Sequence, residues 1–340
     1  MKKAFITGIN GQDGAFLADY LLKNDYLVFG GCRNPDTDHW RLKHLGVQDK
    51  ITLVQYDLEN LDSIRNSIQT IQADEVYNFA SQSSVRLSLE SPLQTGIANT
   101  QSVIHLLESI RVFTPGALFF QAGSSEMFGG PQSVPQTETT PMEPKNPYSS
   151  SKCFAYHLTK NYRDIYQIHA VNGILYNHES ELRGLEFFTR KVSSHIASYS
   201  LQKKEILKVG NISIIKDIGY APDFVEGMYH ALHRNLPDDY IFSTGKGIPI
   251  KEFIDLGFKA IQVDLEWVGL DNNQKAYDKK TGELLVETDP KFYRIQESNH
   301  QIGDPSKARN LLGWSAKTNL ETIVQRMIES DIDRLKRLNN

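Results

Sequence analysis

Four residues within 121–152 have types and spacing that let them share one reaction: Ser124, Glu126, Tyr148 and Lys152. A phenol titrates at about 10 in water, so tyrosine is a poor base at neutral pH unless a nearby cation favours the phenolate. Lys152 is such a cation, because residues four apart share one face of a helix. Asn146-Pro147 predicts the start of that helix, with asparagine as cap and proline at the first helical position, where a missing N–H costs nothing. Ser124 and Glu126 follow the apolar run Ala117-Leu118-Phe119-Phe120, which predicts a strand presenting them at its carboxyl end. Ligands bind at that end of open parallel sheets. A tyrosine and a lysine four apart are common on helices, so their weight comes from the rest of the chain.

The amino terminus supplies the first support. Ala4-Phe5-Ile6-Thr7 leads into Gly8-Ile9-Asn10-Gly11-Gln12-Asp13-Gly14, and the spacing of Phe16, Leu17, Tyr20 and Leu21 predicts a helix. In a strand–turn–helix of this kind, glycines let the backbone approach a pyrophosphate, which the helix amino terminus attracts. Three glycines can also serve a tight bend alone, and the position at the start of the chain favours the dinucleotide reading. A second apolar run, Leu27–Cys32, ends at Arg33, where dinucleotide folds meet the adenosine ribose. An acid there suits NAD, whereas Arg33 favours the extra phosphate of NADP. Asp36 and Asp38 weaken that charge argument, and a solvated loop arginine is the plain alternative.

Alternation continues with strands at 51–56 and 75–79 and helices near 62–71 and 95–111. This βαβα order predicts an α/β fold with a doubly wound parallel (Rossmann) sheet. Asp57 and Leu58 after the third strand would meet the adenine, and the loop from Ala80 through Gln82 would pass the nicotinamide ribose. Beyond a helix to about 166 and a strand at 170–176, the alternation loosens. A smaller, interleaved C-terminal substrate lobe is expected over 177–340, following a dinucleotide-binding domain over 1–176 with a later return near 217–246. Helices are expected at 188–199, from Asp304-Pro305 onward and at 319–338, with a short strand at 206–209.

With 340 residues and 40% hydrophobic content the chain can bury a large core. A formal charge of −4 gives no global pull toward nucleic acid or anionic membrane, so any phosphate site must be local. Cys32 and Cys153 fit no zinc pattern, and no metal site is expected. Their usage suits a reducing cytoplasm. Met1-Lys2-Lys3 could open a secretion signal, but Asn10, Gln12 and Asp13 interrupt the apolar run.

With the glycine turn, the Ser-Ser-Glu strand end and Tyr-x-x-x-Lys in place, the chain resembles the extended short-chain dehydrogenase/reductase family, and within it the GDP-mannose 4,6-dehydratase branch. The segments TGINGQDGAFLADYLL, QAGSSEMFG, ETTPMEPKNPYSSSK, AVNGILYNHES, RGLEFFTRK and FYRIQES are similar to successive signatures of that branch. The resemblance implies tightly held NADP, oxidation at C4 of a GDP-hexose, elimination of water across C5 and C6, and return of hydride to C6. It implies that Tyr148 takes the C4 hydroxyl proton while Lys152 lowers the phenol pKa and holds the nicotinamide ribose. It makes Glu126 the C5 base and Ser124, where the branch more often has threonine, a hydrogen-bond partner of the C4 oxygen. The cofactor set it implies is Gly8, Gly11, Gln12, Asp13, Gly14, Arg33, Asp57, Leu58, Ala80, Gln82, Tyr148, Lys152 and His178. On the nucleotide sugar it assigns Asn177 and Arg183 to the mouth of the substrate lobe, Lys191 to the diphosphate, and Arg294 with Glu297 to the nucleoside. It further implies a homodimer or homotetramer, with the loop at 34–42 reaching a neighbouring subunit.

Departures from the branch cluster in two places. Where it reads RDWGHAKDYV this chain has Lys216-Asp-Ile-Gly-Tyr-Ala-Pro-Asp-Phe-Val225, and where it reads SPRRG this chain has Ser180-Glu-Leu-Arg-Gly184. Lys216 can meet a phosphate as a point charge but lacks arginine's bidentate fork. If Ile218, Tyr220 and Pro222 face the sugar, a GDP-manno-heptose or another GDP-hexose becomes the expected substrate; if not, GDP-mannose stays preferred. Glu126 separates the reaction classes, because a 4-epimerase or 4-keto reductase on this scaffold needs no carboxylate at C5. Retention of both Tyr148 and Lys152 speaks against a non-catalytic NADP-binding sensor.

Overall fold

The computed structural model describes residues 1–130, 134–203, 205–270, 273–293 and 300–339. Strands and helices alternate through the first half, giving β1 (Lys3–Thr7), β2 (Leu27–Cys32), β3 (Thr52–Gln55), β4 (Glu75–Asn78), β5 (Leu118–Ala122) and β6 (Ala170–Leu175). Next come β7 (Asn177–Glu179), β8 (Leu207–Val209), β9 (Ile215–Tyr220), β10 (Asp239–Phe242) and β11 (Gly247–Pro249). The last are β12 (Leu265–Val268), β13 (Lys275–Asp278), β14 (Leu284–Thr288) and β15 (His300–Gln301).

The main sheet has seven parallel strands in the order β10-β6-β5-β4-β1-β2-β3. Helices cover both of its faces, which explains why its strands read as unbroken apolar runs. Ala4, Ile6, Tyr77, Phe120 and Val171 share one core with the helices Gln12–Lys23 and Ala221–Leu232. Their neighbours of opposite parity, Phe5, Val76, Phe119 and Ala170, share the other with Leu61–Ile71, Ser102–Phe113 and Pro147–Tyr166. Strand order reverses between β1 and β4, which opens a crevice at their carboxyl ends.

The second lobe carries two small sheets. One has the order β11-β9-β15 with β7 also paired to β9, and the other runs β12-β13-β14-β8. Its core includes Val192, Ile196, Phe253, Ile254, Ile323 and Val324, from the helices Phe188–Ser200, Ile250–Ala260 and Leu320–Asn339. Of the return expected near 217–246, β10 enters the main sheet and Ala221–Leu232 packs on it, whereas β9 belongs to the lobe.

Two local expectations change. The helix expected at 95–111 is broken into Pro92–Gly96, a wider π-type turn at Ile97–Gln101, and Ser102–Phe113. Such a turn shifts the register of side chains. Here the buried Asn99 bonds Gln82 and Ser151. Near the end, Asp304 accepts from the Ser306 N–H at 2.9 Å and the helix runs Ser306–Leu312. Among the described residues no helix is long and apolar enough to cross a membrane.

Candidate active site

The crevice begins at the glycine turn. Gly8 has φ +70°, and a Cβ on it would lie 2.8 Å from the Ala80 nitrogen; one on Gly14 would lie 2.5 Å from the Gly8 carbonyl oxygen. Only glycine fits at either place, so the turn draws tight against the loop after β4. Gly11 starts the helix Gln12–Lys23 without a side-chain cap, which leaves first-turn N–H groups for an anion. This cradle fits the pyrophosphate of a dinucleotide. Thr7 braces it from beneath, accepting from the Ala80 N–H at 3.1 Å and donating to Asn78 at 2.6 Å, and Asn78 donates to Gln121 at 2.9 Å.

The four residues that the sequence singles out gather at the carboxyl end of β5. Ser124 caps a short turn at Ser125–Phe128 by accepting from the Glu126 N–H at 3.2 Å, and buried Met127 and Phe128 anchor that turn. Asn146 caps the helix and Pro147 takes its first position, as the sequence predicts, and Ser149 completes a reciprocal capping box. Tyr148 and Lys152 therefore point in from the first two turns of a fixed helix, both buried.

Their electrostatics differ from the expectation that Lys152 lowers the phenol pKa. Burial pushes Tyr148 up to about 12, and the Glu126 charge adds to this, while the Ser124 hydroxyl and the Arg183 cation work the other way. Lys152 is itself pushed down to about 8 by burial, with the Asp13 carboxylate opposing. Its Nζ stands 5.8 Å from the Tyr148 ring centre and donates to the Ala122 carbonyl at 3.0 Å. The physical reason is shared: low-polarity surroundings penalise phenolate and ammonium alike.

A second cluster ties the glycine turn to the start of the second lobe. His178 Nε2 lies 3.0 Å from both Asp13 oxygens, and Nδ1 lies 2.6 Å from the Tyr176 carbonyl oxygen. Gln12 donates to the His178 carbonyl at 3.0 Å and accepts from Ser180 at 2.6 Å. Glu179 accepts from Thr189 and pairs with Arg183 at 3.1 Å, and the Arg183 guanidinium lies 3.7 Å over the Phe187 ring. The Arg183 charge acts on Tyr148, Asp13 and His178 together.

The remaining predicted residues are spread around this centre. Arg33 is exposed just past β2, Asp57 and Leu58 are half-buried after β3, and Asn177 opens β7 opposite Ile218. Gln82 has its side chain bound to Ser84 and Thr95, so it shapes its loop. Lys191 is held elsewhere, over the Phe292 ring at 3.9 Å and donating to the Lys208 carbonyl at 3.1 Å. Arg294 and Glu297 lie outside the described residues. Lys216 comes to 3.8 Å from Glu126. The sequence reading missed Gln301, which accepts from Lys216 at 2.8 Å, and Arg41, which donates to the carbonyls of Asn10 at 2.8 Å and Leu182 at 2.6 Å. Gln301 sits in a two-residue strand with no pattern to announce it. Arg41 lies within the loop expected to reach another subunit.

A parallel sheet that reverses at a glycine turn, with a Ser–Glu strand end facing a Tyr–Lys helix, defines a dinucleotide-dependent enzyme of the short-chain dehydrogenase/reductase type. The family model described as "GDP-mannose 4,6 dehydratase" matches residues 5–327. A GDP-mannose 4,6-dehydratase of Sinorhizobium fredii (strain HH103) is 36% identical, covering 98% of each chain. One of Dictyostelium discoideum is 35% identical, covering 98% of this chain and 97% of its own. Solved structures share the fold: RMD from Pseudomonas aeruginosa complexed with NADPH has a TM-score of 0.79 at 20% identity, covering 98% of this chain and 100% of that one. A dTDP-glucose 4,6-dehydratase from Bacillus anthracis in complex with NAD gives 0.80 at 17%, covering 99% and 98%. The chain belongs to the GDP-mannose 4,6-dehydratase family and is an enzyme of the nucleotide-sugar 4,6-dehydratase type.

Proposed function

We propose that this chain converts GDP-mannose, or a close manno-configured relative, to its 4-keto-6-deoxy sugar using NADP that stays bound through the cycle. Gly8, Gly11 and Gly14 would cradle the pyrophosphate, Arg33 the adenosine phosphate, and Lys152 the nicotinamide ribose. NADP supplies the hydride acceptor at C4 and the hydride donor at C6. In its phenolate form, which the Ser124 hydroxyl and the Arg183 cation favour against burial, Tyr148 takes the proton of the C4 hydroxyl while Ser124 holds the C4 oxygen. The resulting C4 ketone acidifies the C5–H, and Glu126 removes that proton. The C6 hydroxyl takes up one of the two released protons and leaves as water, C5 takes up the other as C6 receives the hydride, and the net change is loss of one water.

The observation that carries this reading is the carboxylate Glu126 in the Ser124-capped turn at the carboxyl end of β5, beside the start of the helix that bears Tyr148 and Lys152. Ile218 is buried in the lobe core, and the Tyr220 hydroxyl is fixed 3.2 Å from Glu181 and 3.0 Å from Arg326. Packing of this kind absorbs those two departures within the lobe and supports mannose as the sugar. The test is incubation with a panel of GDP-, UDP-, CDP- and dTDP-sugars without added cofactor. Wild-type protein releases the 4-keto-6-deoxy product from GDP-mannose, and Glu126→Gln retains cofactor and fold while turnover falls by about 10²- to 10⁴-fold. Near-normal turnover in that variant removes the mechanism.

We infer that the protein works in the cytoplasm as a homodimer or homotetramer. Phe154, Ile165 and Tyr166 on the helix bearing Tyr148, with Val112 on Ser102–Phe113, leave apolar surface exposed that a second copy would cover. Light scattering at micromolar concentration should give at least twice the 38.6 kDa chain mass, and a monomer would refute the assembly.

A further inference from the structure

Lys216 lies on β9 of the lobe, and its surroundings differ from those of an exposed phosphate ligand. Its Cα is fixed from both sides, since β9 pairs Lys216 with Ile248 of β11 and with Gln301 of β15. The side chain is only 12% exposed, and Nζ lies between Gln301 Oε1 at 2.8 Å and Glu126 Oε1 at 3.8 Å. An ammonium has donors only, so it fixes the Gln301 amide with oxygen toward it. Gln301 Nε2 is then a buried donor with no partner among the described residues.

The distance to Glu126 carries the rest of the argument. At 3.8 Å the contact is an ion pair longer than a hydrogen bond. The ammonium thus holds the carboxylate in place and leaves its lone pairs open to a proton. A guanidinium in the same place would tend to grip a carboxylate or phosphate bidentately, whereas lysine acts as a point charge. Glu126 sits on the main-sheet side of the crevice and Lys216 on the lobe sheet, so their pairing sets the base relative to the lobe that receives the sugar.

We propose that Lys216 is a positioning residue for the elimination step, holding the Glu126 carboxylate over C5 from the lobe sheet. This rests on the reading of Glu126 as the C5 base. A misplacement of about 1 Å in a reacting group can cost up to about a hundredfold. Lys216→Met should therefore lower kcat by about ten- to a hundredfold with little change in KM. C4 oxidation should persist, so reduced cofactor absorbing near 340 nm builds up in single turnovers. Lys216→Arg, which keeps the charge but can grip the carboxylate bidentately, should recover only part of the loss.

The deciding measurement is a double-mutant cycle on kcat with Glu126→Gln. If Lys216 acts through Glu126, Lys216→Met costs nothing further once Glu126 is gone. Effects that add, or a KM rise at unchanged kcat, would make Lys216 a phosphate cation and overturn the proposal. Normal turnover in Glu126→Gln alone would instead sink the base assignment. Melting temperatures check the fold, and Lys216→Gln, which removes the charge and can still bond Gln301, carries the same expectation should the methionine variant not fold.

Discussion

Two histidine–carboxylate pairs sit at opposite ends of the same sheet. At the carboxyl end, His178 meets Asp13; at the amino end, His233 Nε2 meets Glu75 at 2.9 Å, with Nδ1 on the Tyr229 carbonyl at 2.8 Å. In both, each ring nitrogen faces an acceptor, which favours the imidazolium. Burial opposes charge on all four groups. The partners prevail, so both histidines stand above their ordinary value and both carboxylates below theirs. The difference is in the company. Glu75 is fully buried and accepts from Lys2, Tyr26 and His233 on one oxygen and from Tyr77 on the other. Asp13 is 20% exposed on its side chain, accepts from His178 and Gln12, and stands beside a glycine cradle. A saturated pair fastens the fold, and an open one keeps capacity for a ligand.

The largest test sets one pair against the other. Glu75→Ala leaves an imidazolium and two buried hydroxyls without their acceptor, and should cost about 3–5 kcal/mol of stability in urea unfolding. Turnover per folded molecule should be unchanged. Asp13→Asn keeps one acceptor oxygen for His178, so stability falls by about 1 kcal/mol, yet the protein should lose its dinucleotide on purification. If Glu75→Ala abolishes activity at unchanged stability, or Asp13→Asn unfolds the chain while a folded fraction keeps its cofactor, the contrast is wrong.

The contrast also marks what the sequence could disclose. The glycine turn, the capping at Asn146-Pro147 and the strand runs of the main sheet follow local rules of short range, and the structure has them in place. Glu75 and His233 are 158 residues apart, and no spacing links them, because the pair exists only once the helix Ala221–Leu232 lies on the main sheet. The strands β12, β13 and β14 passed unnoticed for another reason. Lys275–Asp278 and Leu284–Thr288 mix charged with apolar residues, as a partly exposed edge of a lobe does. Lys216 stands out in the sequence by its type alone, and its partner Gln301 comes from a strand brought beside it by tertiary pairing.

Titration gives a test of intermediate size. Because His233 is raised above 6.5, its contribution to stability is fully present below pH 6.5 and is lost as pH rises through the higher folded value. Because Glu75 is lowered below 4.5, its contribution is present above pH 4.5 and is lost as pH falls through the lower folded value. The stability difference between wild type and Glu75→Gln should thus be largest and flat between pH 4.5 and 6.5, shrinking on either side. A difference that grows steadily from pH 6.5 to 9 would show that the ring is neutral in the fold.

The smallest effect lies inside the saturated pair, between two tyrosines that look equivalent. Tyr26 donates at 2.8 Å to Oε1 of Glu75, an oxygen that Lys2 and His233 also serve; Tyr77 donates at 3.0 Å to Oε2, for which it is the donor found among the described residues. Removing one of several donors costs about 0.5–1.5 kcal/mol, whereas stripping a buried charged oxygen of its donor costs about 1.5–3 kcal/mol. Tyr77→Phe should therefore destabilise more than Tyr26→Phe, although its hydrogen bond is the longer. Urea midpoints at pH 6, between the ordinary values of the two groups, give the comparison. Equal losses would mean that the carboxylate rotates to share its remaining donors, and the amino-end pair would then be as adaptable as the one beside the glycine turn.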